Sequence, residues 1–574
     1  WCQVMDTLEF RQHTPQIKTC RLSESVLRQY LKKHGDDATA SIRTLYSIRD
    51  MDINKSVENK TKESIYALCE QYPDIWLKDS QELPRAVLGQ DGKPFVHKIV
   101  FKDNHKPTRC RQPEFPIGSA KRAILEAWTE QGLRSGLLVK AENSLWASRV
   151  LTVAKYDLDE NRDGVPDNLR IVSDFVQANT QKKPVVPEFA HAHIEMHRVS
   201  GYRWYAQLDA AKGYWGFLLD KASSASTAIW LPHNGRTALF RYTRAVMGDQ
   251  SSGATMNTRF AEALALNVDE RARKHLSNMA DDWVAFANTI EELLYALDAL
   301  FKMFDRFHIT VNPAKVRLCY NTVTYWGFDF SADGSRPSAR NLNPVRKMQV
   351  PTTRKELQAA LGLFNYFSHY ISDLDKSRDP PRLITYSELV APMQLLVRDS
   401  TKTKKQFAAL WAADQQKAFD RVKEILLADV MLHAPDYTRP FRMSSDASDH
   451  GWGATLFQDK PIPGDTSEPD PEAAPGVPEA SKVNVIRMWS KAWTDSQRKL
   501  PVYFRESLGW CLGILKCRPY VLSSRFPLIT QTDHLPLTWI RKSSGKAAIS
   551  AFLTSRIADV DWRIYYLPGH LNTL

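Results

Sequence analysis

The chain has 574 residues, 43% of them hydrophobic and 25% charged, with a formal net charge of +12 and an isoelectric point near 9.1. That length holds several domains with separate cores, and the positive balance suits a polyanionic partner better than an acidic one. No apolar run approaches the ~18 residues of a membrane span and no signal peptide opens the chain, so no membrane role is implied. The seven cysteines (Cys2, Cys20, Cys69, Cys110, Cys319, Cys511, Cys517) show neither a CxxC pair nor metal-ligand spacing. They read as free thiols in a reducing compartment.

Residues 1–88 carry no chemistry that can be named, and read as a linker or packing module. Ser23 can cap a helix through His34, closed by Gly35, and a second helix is expected near Lys62–Gln71. Lys98–Phe101 reads as a strand. Ala120–Gly136 has helical spacing at Ile124, Leu125, Trp128 and Leu133 and ends in glycine. Beyond it a polar insertion, DLDENRDGVPDN, separates Lys155 from Arg170. From Asp159 it has the Asp-x-Asn-x-Asp-Gly opening of a calcium-binding EF-hand loop. Its twelfth position is Arg170, where a bidentate acid is needed, so a long polar hairpin loop is the favoured reading.

Acids then appear at strand ends. The run Tyr205-Ala206-Gln207-Leu208 closes on Asp209. Met279-Ala280 leads into Asp281 and Asp282, followed by the apolar Trp283-Val284-Ala285-Phe286. A tight strand pair with two acids at its turn fits the second pattern. Adjacent carboxylates repel unless a cation sits between them. A lone Asp-Asp is usually a solvated turn. A third acid at the end of another strand changes the weighing, because three carboxylates so placed can hold two Mg²⁺ ions, or Mn²⁺, for in-line displacement at phosphorus. Farther on, Glu291–Phe307 is an amphipathic helix with Leu293, Leu297, Leu300, Phe301 and Phe304 on one face, a core stripe. Residues 340–435 look helical, with Thr353–Tyr370 presenting Leu357, Leu361, Phe364 and Phe367, and Lys402, Lys404 and Lys405 form a basic cluster.

The segment YAQLDAAKGYWGF followed by MADD resembles motifs A and C of reverse transcriptases of the LTR-retrotransposon, Ty3/Gypsy-like kind. The resemblance extends from about residue 90 to the end. Arg170-Ile171-Val172-Ser173-Asp174-Phe175 with Asn179 reproduces the R-x-x-x-D-[FY]-x-x-x-N spacing, and implies that Lys155 and Arg170 face the triphosphate of an incoming nucleotide. Asp209 is implied as a metal ligand together with Asp281 and Asp282. Tyr214 falls at the steric-gate position that excludes a ribose 2′-OH. Where the pattern usually reads P-F-G-L-x-N-A-P this chain reads V-M-G-D-Q-S-S-G-A. Gly248 or Gly253 can then be the close-approach glycine, Gly248 preferred. The first position of MADD, usually aromatic, is Met279, which bears on the primer end. Lys315 is implied as the acid that protonates pyrophosphate, and Tyr325-Trp326-Gly327-Phe328 matches a primer-grip turn.

A second set of acids follows. Phe441–Ser448 is a strand carrying Asp446, with Gly451–Gln458 as its hairpin partner. A loop rich in Pro, Glu and Asp runs from Asp459 to Lys482 and reads as a disordered surface segment. Glu506 lies at the start of a helix opened by Tyr503, and Asp533 lies in a T-D-H-x-P-L stretch. These frames resemble those of an RNase H domain. Asp446, Glu506 and Asp533 are thereby implied as a second divalent-metal site, aimed at the RNA strand of a hybrid. The fourth acid of that pattern would fall about two residues past Leu574, so a fragment cleaving RNA poorly is expected. A chain beginning at Trp1 and ending inside a motif reads as a segment of a longer polyprotein, with protease and integrase neighbours expected.

The expected architecture is α/β: a segment of unknown role (1–88), fingers and palm of a right-hand polymerase (89–335), thumb and connection (336–435), and a mixed five-stranded RNase H sheet with helices (436–574). The expected activity is RNA- and DNA-templated DNA synthesis from dNTPs on a DNA primer, with RNA–DNA hybrid as the nuclease substrate and Mg²⁺ or Mn²⁺ as cofactor. A homodimer is left open. The implied location is the cytoplasm, in virus-like particles, with the nucleus as a second compartment. A decayed reverse transcriptase acting as a nucleic-acid-binding scaffold is the rival reading, and a host polymerase of the telomerase type a weaker one.

Overall fold

In the computed structural model the described residues are 48–78, 82–102, 109–113, 119–154, 169–185, 192–375, 382–398, 407, 410–461, 475–478, 482–540, 547–568 and 571. Lys155 and all of the polar insertion, the expected Ser23–His34 helix, the Lys402, Lys404 and Lys405 cluster and most of the Asp459–Lys482 loop lie outside them. The chain divides into two units. The first takes in the described residues through Asn321 except His193–Tyr202; the second takes in His193–Tyr202 and Thr322 onward.

The first unit opens with β1 (Asp52–Ile53) and α1 (Asn59–Glu70), followed by α2 (Ser119–Arg134) and β2 (Leu138–Lys140). The strand expected at Lys98–Phe101 is instead a short one at Val96–His97, with Phe101 making only an isolated bridge to Lys182. A hairpin of β3 (Arg149–Ala154) and β4 (Leu169–Asp174) leads into the single turn α3 (Val176–Asn179). Then come β5 (Trp204–Asp209), the hairpin β6 (Ile229–His233) and β7 (Arg236–Tyr242), α4 (Ser252–Asn267), β8 (Leu276–Met279), β9 (Asp282–Ala287), α5 (Ile290–Phe307) and β10 (Arg317–Tyr320).

These strands make a central five-stranded sheet in the order β1-β10-β5-β9-β8, antiparallel except for the β1–β10 pair. A smaller sheet, β6-β7-β2, has its own core around Leu138, Ile229 and Phe240. In β9 every residue from Trp283 to Ala287 is buried, as expected of a strand inside a sheet with both faces covered. One cover is α5. Thr289 caps it by accepting from Glu292 N (3.2 Å), acids fill its first turn, and it stops at His308, whose φ of 58° cannot continue a helix. Its Leu293, Leu297, Leu300, Phe301 and Phe304 are all buried, and Phe304 meets Trp283 edge to face at 5.1 Å. The helix stripe read from the sequence is therefore core.

The second unit begins with a four-stranded antiparallel sheet built from β11 (Val323–Tyr325), β12 (Phe328–Phe330), β13 (Gly334–Pro337) and, after the helices α6 (Arg354–Tyr366) and α7 (Ala413–Leu427), β14 (Leu432–His433). The β11–β12 turn is Trp326-Gly327, both with positive φ (52° and 75°), the signature of the primed two-residue hairpin turn. The helix expected over Thr353–Tyr370 has Thr353 as its cap and ends at Tyr366, continuing as a 3₁₀ turn at Ser368–Tyr370. Last come β15 (Arg442–Ala447), β16 (Gly451–Asp459), β17 (Val483–Ala492), α8 (Val502–Val521), β18 (Leu528–Thr532) and β19 (Trp562–Tyr566). They form a five-stranded mixed sheet in the order β17-β16-β15-β18-β19, antiparallel on one side of β15 and parallel on the other.

Candidate active site

Strand pairing brings the first acids together. β5 and β9 run antiparallel with Asp209 opposite Asp282, which sets their Cα atoms ~5 Å apart. Asp281 sits in the two-residue turn between β8 and β9 beside Ala280, whose φ is 54°. A positive φ at the first turn position suits a primed hairpin turn and normally calls for glycine, so Ala280 holds local strain next to the acids. Two supports keep it there. Asn278 Nδ2 donates to the carbonyls of Ala280 (3.1 Å) and Asp282 (3.4 Å), and Ala210 N donates to the carbonyl of Asp281 (2.8 Å).

Lys315 is delivered by a second turn. Asn312 N donates to the Asp209 carbonyl (3.1 Å), while the Asn312 side chain accepts from Ala314 N (3.1 Å) and starts the turn Pro313–Lys315. The Lys315 ammonium then lies 2.9 Å from Asp209 Oδ2. Tyr214 stands on the 3₁₀ turn Gly213–Gly216. A Cβ on Gly213 would lie 3.0 Å from Met256 Sδ and 3.6 Å from Asp281 Cβ, so this turn packs beside the Asp281 side chain.

Electrostatics follow from the packing. Burial raises the Asp209 carboxyl, Lys315 opposes the rise, and Asp281 adds to it. Burial pushes the Asp282 carboxyl up to about 6, with the charges of Asp281 and Asp209 adding to the effect. The Tyr214 phenol is raised by burial and then by Asp281. Three carboxylates against one lysine are a donor set of hard oxygens with charge left over, which fits Mg²⁺ or Mn²⁺. Among the described residues no three acidic, His or Cys side chains close around one point. Asp209 is engaged by Lys315, so holding an ion calls for side-chain rotation rather than backbone movement.

Sterics distinguish the two candidate glycines. Gly248 has a φ of 95°, and a Cβ there would come within 2.9 Å of the Ser173 carbonyl; at Gly253 a Cβ would meet only the Tyr214 hydroxyl, at 3.7 Å. Gly248 is therefore the position that needs glycine. Arg170 is exposed on β4, opposite Val153, and no described contact joins it to the acids. The sequence reading passed over Lys182 and Asp249, a buried ion pair beside Gly248. The signal was present in the departure from the usual pattern, where a buried acid follows the glycine.

In the second unit β15 and β18 are parallel, with Ser444 opposite Gln531 as the last pair. Asp446, still paired with Gly453 of β16, and Asp533, just past the end of β18, each lie two residues beyond that pair and so sit at the same end of the β15–β18 ladder. Glu506 is 9% exposed on the first turns of α8. It lies one turn before Gly509, where a Cβ would be 3.4 Å from Ala447 Cβ, so helix and strand place Glu506 beside the end of β15.

Parts of the chain match known protein families. The family of reverse transcriptases (RNA-dependent DNA polymerases) matches residues 158–330, a span that holds Arg170, Asp209, Tyr214, Gly248, Asp281, Asp282 and Lys315 but not Lys155. The RNase H-like domain found in reverse transcriptases matches residues 411–464, which include Asp446. The chain is 21% identical over 479 residues to the retrovirus-related Pol polyprotein from transposon 297 of Drosophila melanogaster, covering 83% of this chain and 40% of that protein. It is 22% identical over 555 residues to the transposon Tf2-3 polyprotein of Schizosaccharomyces pombe, covering 94% of this chain and 37% of that one. It thus spans about two fifths of the length of the curated relatives it matches. Among solved structures, the foamy viral protease–reverse transcriptase dRH in complex with double-stranded DNA superimposes with a TM-score of 0.66 at 17% identity, over 98% of this chain and 85% of that one. The foamy viral protease–reverse transcriptase in complex with an RNA/DNA hybrid gives 0.62 at 16%, over 99% of this chain and 66% of that one. At such identities these two establish the fold. The chain carries a reverse transcriptase domain over residues 158–330 followed by an RNase H-like domain over residues 411–464, and the curated relatives named above are transposon polyproteins.

Proposed function

We propose that this chain extends a DNA primer on an RNA or DNA template. The primer 3′-OH attacks the α-phosphate of a dNTP and pyrophosphate leaves. The observation that carries the reading is the pairing of Asp209 with Asp282, with Asp281 in the adjoining turn. Asp209 and Asp281 would hold Mg²⁺ or Mn²⁺, with Asp282 in support. A bound divalent ion supplies Lewis-acid activation of the hydroxyl and neutralises charge on the leaving group. Lys315 can exchange its hold on Asp209 for a proton donated to the leaving pyrophosphate. Tyr214 presents a ring to the sugar and excludes a 2′-OH. Arg170 and Lys155 are assigned to the triphosphate, and Gly248 to close backbone approach by the templating base pair.

Asp446, Glu506 and Asp533 would hold the ions of a ribonuclease acting on the RNA of a hybrid. The same reading expects protease and integrase neighbours in the polyprotein and residence in cytoplasmic particles, with nuclear entry and homodimer formation as further expectations.

Primer extension with wild type and Asp281→Asn tests the central reading. Incorporation by wild type and a loss of about 10³-fold or more in the variant is the expected result. Equal incorporation, or none from wild type, favours a nucleic-acid-binding scaffold, the reading that Met279 at the head of the acid turn would fit.

A further inference from the structure

Two loops of the first unit are tied together by a buried charge pair that the polymerase chemistry does not use. One is the segment Asn179–Lys182, which begins on the last residue of α3; the other is Gly248–Ser251 before α4. The Lys182 ammonium pairs with Asp249 Oδ2, and both side chains are 0% exposed. Asp249 Oδ1 accepts from Ser251 N (3.0 Å) and Ser251 Oγ (2.6 Å). Gln250 Nε2 donates to the Lys182 carbonyl (2.7 Å), and Asn179 Nδ2 donates to the Gly248 carbonyl (2.9 Å). His97 continues the network, with Nε2 at 3.0 Å from Ser251 Oγ and Nδ1 at 3.1 Å from Thr255 Oγ1.

A buried ion pair is a poor way to gain stability, since apolar replacements of like volume often serve as well or better. Its geometric demand is strict, however. Here that demand falls on the backbone of Gly248 and on the first turn of α4. That turn carries Gly253 against the Tyr214 hydroxyl, and one turn later Met256 lies against Gly213 beside Asp281. Movement of the Asp249 carboxylate is therefore transmitted to the wall that Tyr214 and Gly248 make.

We propose that Lys182 and Asp249 are positioning residues, a clamp that fixes the Gly248 loop and the start of α4 so that Tyr214 meets the sugar of an incoming nucleotide at the discriminating distance. The proposal rests on the polymerase reading above. The clamp governs nucleotide affinity and sugar choice, and leaves the acids in place.

The test is the double substitution Lys182→Met with Asp249→Leu, which removes both charges at once, alongside Gln250→Ala, which cuts only the bond to the Lys182 carbonyl and keeps the fold if the double variant does not. Single-nucleotide incorporation is measured with dNTP and rNTP, and amide hydrogen exchange is followed without substrate. The expected result is a KM for dNTP raised about tenfold or more with a smaller change in kcat, weaker discrimination against rNTP, and faster exchange over Gly248–Thr255 but not over β5 and β9. Gln250→Ala should move the same quantities in the same direction by less. Wild-type KM, sugar choice and exchange in both variants would overturn the clamp while leaving the polymerase reading intact. A wild type that incorporates nothing would overturn the polymerase reading, and exchange alone would then decide whether the clamp holds the loop.

Discussion

The two acid clusters have similar composition and opposite construction. Asp209, Asp281 and Asp282 come from neighbouring strands and the turn between two of them, so backbone pairing alone sets their spacing. Asp446, Glu506 and Asp533 come from one strand, a helix and the end of a second strand, so their meeting depends on how α8 docks. The first cluster cannot relieve its repulsion by spreading without breaking the sheet, and Asp282 is pushed up to about 6 by burial first, with the charges of Asp281 and Asp209 adding to it. The second depends on close packing. A Cβ on Gly509 would fall 3.1 Å from Trp452 Cβ, and one on Gly513 would fall 3.0 Å from both Ala454 Cβ and Met443 Sδ. One site is fixed by hydrogen-bond register and the other by the absence of side chains.

Substitutions can break this contrast. The largest effect is expected from Asp281→Asn, which should remove primer extension and leave any hybrid cleavage unchanged; parallel loss of both would deny that the clusters are separately built. Next is Gly509→Leu. Overpacking against Trp452 should destabilise the second unit by about 1–3 kcal/mol and lower hybrid cleavage by about 10²-fold, read by thermal unfolding and a hybrid-cleavage assay, with primer extension nearly unchanged. Tyr214→Val should raise ribonucleotide incorporation relative to deoxyribonucleotide by about 10- to 100-fold, measured by single-nucleotide insertion.

The smallest effect sharpens the electrostatic half of the comparison. Burial and the neighbouring acids raise the folded-state carboxyl of Asp282 above the ordinary aspartate value of about 3.9. Its stabilising contribution is therefore fully present below that value and is lost as pH rises through about 6. In chelator, wild type should lose about 1–2 kcal/mol between pH 4 and pH 8 relative to Asp282→Asn, after allowance for partial exposure. Mn²⁺ should restore wild type and not the variant. Equal pH profiles for the two proteins would mean that the register does not confine the charge.

Much of this could be read from residue order because it is local. The α5 stripe, the Asp281-Asp282 turn and the Asp446 hairpin each declare themselves within a window shorter than one element. That Asp209 should converge on the Asp281–Asp282 turn followed from chemistry, since three acids need a common cation, and from the resemblance; its pairing with Asp282 did not. What could not be read is non-local. Lys182 and Asp249 are ordinary polar residues in their own segments, and only folding shows them to be each other's partner. The short strand at Val96–His97 was misplaced because its parallel partner, Leu218–Leu219, lies far along the chain and its own sequence has no periodicity to mark it.

The two-residue connection at Ala280 and Asp281 has a consequence for how this protein can change over time. Everything from Trp283 to Ala287 is buried, so a sliding of the strand would still find apolar surroundings. Only the shortness of the connection, with its bonds from Asn278 and Ala210, forbids it. Insertions can accumulate at loops elsewhere, but a single added residue here would carry a carboxylate out of the constellation. Length at this bend is therefore held by the position of the acids and not by stability alone.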